Sequence, residues 1–151
     1  MGAIMEFATE KQIASFLSTC RIEGQKNFLM AFKKKTWLKS FIDFFIVGGS
    51  YYVQSSVKPK ILAFTPKGIY LMDISDITEN RFNQVLEMPW NQVKDFTYKS
   101  VLNAVRLNWN YQNEAYIFSV DVGQVSQRVG QYQFNKEHYD YLVQQDFFLS
   151  K

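Results

Sequence analysis

Apolar residues along this chain are spaced first with a helical period, then with a period of two, then with a helical period again. Ile13, Phe16, Leu17 and Cys20 stand at i, i+3, i+4 and i+7, a stripe that predicts a helix over residues 9–21. Thr9 can cap it, with Gln12 at the spacing of a capping box, and Gly24 offers a stop. The run NFLMAF at 27–32 reads as a first strand. Over residues 36–47, Trp37, Leu38, Phe41, Ile42, Phe44 and Phe45 recur with helical spacing ahead of Gly48 and Gly49, which predicts an amphipathic helix.

From Lys60 onward the period is two. Residues 61–65 and 69–74 predict a hairpin around Pro66-Lys67-Gly68. Residues 73–83 are polar and read as a loop, and residues 84–90 and 93–98 read as strands. The clearest hairpin comes next. Val105, Leu107, Trp109 and Tyr111 alternate with Arg106, Asn108 and Asn110, Gln112-Asn113 makes the turn, and 114–121 returns with Tyr116, Phe118 and Val120 on one side. Residues 122–131 are weakly patterned. A closing helix is predicted over 135–148, capped by Asn135 and turning Tyr139, Leu142, Val143 and Phe147 inward. With no repeat and no linker, residues 1–151 read as one α+β domain.

Composition sharpens this picture in two places. Aromatics make 17% of the chain while only 3 Pro and 7 Gly interrupt it, which favours packed strands and amphipathic helices over disorder. The net charge of +3 is also uneven. Lys26, Lys33, Lys34, Lys35 and Lys39 crowd into residues 26–39 with no acid among them, leaving the rest of the chain slightly acidic. That segment suits an anionic surface. Lys33, Lys34, Lys35, Trp37, Lys39 and Phe41 are therefore the candidate site residues, as a basic, aromatic face lying on anionic lipid. The competing reading is that these aromatics pack on the sheet and the lysines solvate the outer face. Single-stranded nucleic acid, with bases stacked on exposed rings, ranks lowest because arginines are few.

Other chemistry is sparse. One His and one Cys, His138 and Cys20, do not assemble a zinc site, so no metal and no cofactor are expected. Asp73, Asp76 and Glu79 lack the spacing of a calcium loop. Cys20 falls on the apolar face of the first helix, as an inert thiol does, and His138 is expected to be structural or superficial. Gly48-Gly49 fits no phosphate-binding loop. No nucleophile with a positioned base is visible, so the chain is read as a non-enzyme. Residues 1–8 lack the basic start and apolar core of a signal peptide, and Glu6 stands where a myristoylation signal has Ser or Thr. Residues 44–57 are too short and polar to span a bilayer. With a single cysteine, which suits a reducing compartment, a cytoplasmic location is expected.

Three stretches carry a family resemblance: ILAFTPKGIYLMD at 61–73, VLEMPWNQVKDF at 85–96 and VRLNWNYQNEAYIFSV at 105–120, followed by the helix from Asn135. In order and patterning they resemble the body of a bacterial pleckstrin-homology-like (PH-like) domain, a family similar also to GRAM domains. The resemblance implies a strongly bent antiparallel barrel or sandwich of about seven strands, capped by a C-terminal helix and here carrying an extra N-terminal helix. The barrel would span residues 26–121. The resemblance also implies a binding or scaffolding module acting through protein contacts or self-association. The alternatives are a peripheral binder of anionic membranes through residues 33–45 and an enzyme whose residues are scattered.

Overall fold

The computed structural model describes residues 8–24, 26–34, 59–101, 104–122 and 133–145. The predicted helix over 36–47, and with it most of the basic, aromatic segment, lies outside these residues. Helix α1 (Glu10–Thr19) begins as its sequence dictates: Thr9 Oγ1 accepts from Gln12 N at 3.1 Å and Gln12 Oε1 accepts from Thr9 N at 2.9 Å. Its end differs from expectation. Arg21, not Gly24, takes the left-handed φ of 61° at which the chain leaves the helix.

Among the described residues seven strands follow: β1 (Phe28–Lys34), β2 (Pro59–Phe64), β3 (Gly68–Asp73), β4 (Leu86–Pro89), β5 (Val93–Val101), β6 (Ala104–Tyr111) and β7 (Glu114–Asp121). They form one antiparallel sheet in the order β4-β3-β2-β1-β7-β6-β5. The expected strand number and antiparallel sense hold; closure does not. β4 and β5 are the two edges of an open sheet, and side chains fill the space between them. Trp109 Nε1 on β6 donates to Met88 Sδ on β4 at 3.3 Å, and Trp90 Nε1 donates to Thr65 O at 2.6 Å. Phe96 on β5 packs edge-on to both Phe64 and Trp90. Trp109 also stacks on Tyr116 and Phe118, with ring centroids 5.7 and 5.4 Å apart.

The residues read as a loop at 73–83 hold a short helix α2 (Ile74–Thr78) and a 3-10 turn (Phe82–Gln84). The cause is a local hydrogen bond: Asp76 Oδ2 accepts from Asp73 N at 3.1 Å and satisfies a donor at the helix start. Ile74 and Ile77 then turn onto the sheet. At the 112–113 turn, by contrast, Gln112 and Asn113 take φ of 52° and 64°, the left-handed pair that joins tight hairpins.

Burial explains the sequence texture. Strands β1 and β2 are covered on both faces. Leu29, Ala31, Leu62 and Phe64 face the core shared with β6 and β7, while Phe28, Met30, Ile61 and Ala63 face α1, α2 and the closing helix. Both strands accordingly read as continuous apolar runs, whereas β6 and β7 alternate because their outer face meets water.

The closing helix α3 runs over Gln133–Gln144, so it starts two residues before and ends four residues before the expectation. Its inward stripe is also different. Phe134, Asn135, His138 and Leu142 are buried, Tyr139 is half-buried and Val143 is 40% exposed. Asn135 is not a cap; it is a strand substitute. β1 pairs with β7 only over residues 32–34, and at Met30 the two strands have parted. Asn135 fills the wedge: its Oδ1 accepts from Met30 N at 2.8 Å, and its Nδ2 donates to Met30 O at 2.9 Å and to Asp121 O at 3.0 Å. One carboxamide thus does what a peptide of a neighbouring strand would do.

Removing that side chain leaves three backbone groups unpaired in a buried place. Asn135→Ala is expected to lower unfolding stability by about 3 kcal/mol or more, roughly 6–12 °C in melting temperature. Chemical and thermal denaturation measure it, and a loss under about 1 kcal/mol would show that the wedge is satisfied some other way.

Candidate functional site

Of the six candidate residues, Lys33 is the one whose side chain can be followed. β1 carries it to the open end of the sheet beside β7. There its Nζ lies 3.2 Å from Glu114 Oε2 and 4.9 Å from the centre of the Tyr116 ring. The ammonium is therefore held by the neighbouring strand β7, at an exposed position where such a pair contributes little to stability. Lys34 continues β1, with its backbone in register with Ile117. Lys35, Trp37, Lys39 and Phe41 lie outside the described residues. Lys26, at the start of the basic segment, pairs with Glu137 on α3 at 2.9 Å, which raises the lysine pKa and lowers that of the carboxyl.

The acidic stretch after β3 is neutralised by the chain itself. Asp73 pairs with Lys60, Glu79 with Arg81, and the buried Asp76 lies 3.8 Å from the Arg81 guanidinium. Among the described residues no three His, Cys, Asp or Glu side chains converge as metal ligands. No helix among them is long and apolar enough to cross a membrane.

His138 is fully enclosed. Its Nδ1 donates to Phe28 O at 2.8 Å, beside the wedge that Asn135 fills, and its Nε2 lies 3.1 Å from Glu10 Oε2. The Phe28 ring meets the imidazole edge-on at 4.6 Å. Each ring nitrogen thus has a neighbour in the chain, and His138 ties α1, β1 and α3 together. Cys20 is half-buried at the end of α1, and burial pushes its thiol pKa up, away from a reactive thiolate. An open cleft of about 540 Å³ beside it is lined by Ala14, Ser18, Arg21, Ile22, Glu23 and Gly24, with no nucleophile and base in contact.

Two surfaces escaped the sequence reading. One is apolar. Phe82 is 41% exposed although it stacks on Phe16 at 4.9 Å, and Leu86, 37% exposed, follows it onto edge strand β4. Phe82 was hidden inside a stretch read as a polar loop. The other is the outer face of β5 and β6, where Lys99 stands directly opposite Arg106 and Lys94 opposite Asn110. All three cations are exposed. Alternation along 105–111 already puts Arg106 in water; which residue stands opposite it depends on the strand register. No protein-family model matches the chain, and comparisons with curated proteins and with solved structures likewise return no match.

Edge strand β4 is also held by Tyr70, whose hydroxyl donates to Glu87 Oε2 at 2.6 Å. Burial, and then the neighbouring Glu87 carboxylate, push the Tyr70 pKa up to about 12. A phenol with a folded pKa above its unfolded value near 10 leaves stability intact below pH 10. Between pH 10 and 12 the unfolded chain has lost this proton and the folded chain still binds it, so stability falls as pH rises. Ultraviolet titration should find one tyrosine ionising near pH 12 with denaturation midpoints falling in the same window, and Tyr70→Phe should remove that step.

Proposed function

We propose that this chain is a non-enzymatic binding module of PH-like fold that acts through protein contacts, self-association among them. The fold part rests on the seven antiparallel strands in one curved sheet with the last helix laid across β1 and β7. The contact part rests above all on the exposed Phe82 and Leu86 beside the β4 edge. Exposed apolar side chains next to an unpaired strand edge are the kind of surface that a second polypeptide covers. The edge is short and ends in Pro89, which blunts strand-to-strand addition and leaves side-chain contact as the main source of binding.

A reading as a binder of anionic membranes through Lys33, Lys34, Lys35, Trp37, Lys39 and Phe41 draws no support from Lys33, whose charge Glu114 already offsets. An enzymatic reading draws none from His138 or Cys20, for the reasons given above.

Size-exclusion chromatography with light scattering over a concentration series tests the proposal. The expected result is a mass that rises above 17.8 kDa with concentration and returns to it in Phe82→Asp with Leu86→Asp. A strict monomer at every concentration removes self-association.

A further inference from the structure

On antiparallel strands, side chains in register stand about 5 Å apart at Cβ, and like charges placed directly opposite one another are unfavourable. Lys99 and Arg106 are such a pair, exposed on the water-facing side of β5 and β6. Among the described residues neither has an ion pair or side-chain hydrogen bond, and the same is true of Lys94. Lys94 lies on the same face opposite Asn110, four residues along β6 from Arg106, a separation of about 14 Å. Between them stand Thr97 and Asn108, also in register. Two acids lie near: Asp95, next to Lys94, accepts from Asn110 Nδ2 at 3.3 Å, and Asp121 lies at the far corner beside Ala104 with partners of its own. The outer face of this hairpin therefore carries a like-charged pair at one end of a short polar track and Lys94, beside Asp95, at the other.

We infer that this face, with Lys99 and Arg106 at one end and Lys94 at the other, docks an extended acidic segment of a partner protein. The inference rests on the reading of the chain as a module that acts through protein contacts, and it names the partner's chemistry. Charge complementarity selects an anion, and spacing selects its form. Acidic residues four apart on an extended chain are separated by about 14 Å, the distance between the two cationic ends. Thr97, exposed between them, can bond the backbone of such a segment. Single-stranded nucleic acid fits less well because it needs exposed rings for stacking. The exposed large apolar residues among those described, Phe82, Leu86, Tyr141 and Val143, all lie elsewhere. Among the described residues this face therefore offers a membrane no exposed large apolar side chain to insert.

The test is fluorescence anisotropy with the full chain and a labelled peptide carrying Glu at every fourth position between Ser and Thr. Single-stranded DNA and phosphatidylglycerol vesicles are the comparison probes. Saturable binding of the peptide that weakens steadily with added salt is expected. Lys99→Gln with Arg106→Gln, which keeps side-chain size, should weaken it roughly tenfold, while Lys67→Gln at the β2–β3 turn leaves it unchanged. No peptide binding, equal binding by the Lys99/Arg106 variant, or tighter binding of DNA or vesicles through these residues would overturn the inference. If the chain self-associates through Phe82 and Leu86 yet ignores the peptide, this inference fails and the broader reading stands. A strict monomer that also ignores the peptide removes this inference and self-association alike.

Discussion

Strand β1 is the seam of this molecule, and its free backbone edge is the constraint around which the rest is arranged. On one side it pairs with β2 over residues 28–32, and on the other with β7 over only residues 32–34. A buried peptide edge without partners is costly, because each unpaired group keeps its full desolvation penalty. Two side chains of α3 meet that need: Asn135 takes both polar groups of Met30, and His138 takes the carbonyl of Phe28. The helix is thereby fixed in position by directional bonds as well as by the burial of Phe134 and Leu142. Through His138 and Glu10 the same seam reaches α1, so the first and last helices are set against one strand.

The two-sided burial of β1 and β2 follows from this arrangement. Once α1 and α3 lie on the outer face, the inner face is free to curl toward β6, where Trp109, stacked with its neighbours, reaches across to Met88. Half of the sheet is then a buried layer and the other half is a wall with one wet face. That division decides where partners can meet the molecule. The β4 margin exposes Phe82 and Leu86, the β5–β6 wall exposes cations, and the interior offers no convergent ionisable set among the described residues.

What the sequence revealed depended on how local the cause is. The Thr9–Gln12 box and the Gln112-Asn113 turn act within four residues and were legible as they stand. So was the alternation along 105–111, because one face is wet. Helix α2 was hidden because five residues carry too little periodicity and a side-chain bond from Asp76 sets it. Asn135 was read as a cap because an Asn near the start of a helical pattern usually is one, and its partners Met30 and Asp121 lie far away in the chain. The open edges of the sheet likewise depend on which strands pair, which patterning does not encode. Of the candidate site, Lys33 was visible as a cation, but its engagement with Glu114 and Tyr116 was not. The opposition of Lys99 and Arg106 required the register of β5 on β6.

A side chain of α3, not a neighbouring strand, completes the edge of β1 at Met30. Amide hydrogen exchange at Met30 tests it most directly in the unaltered protein. Donated to Asn135 Oδ1 in a buried wedge, this amide should exchange as slowly as the strand amides that β2 protects. Exchange at the rate of an unprotected amide, with those neighbours still slow, would contradict the account.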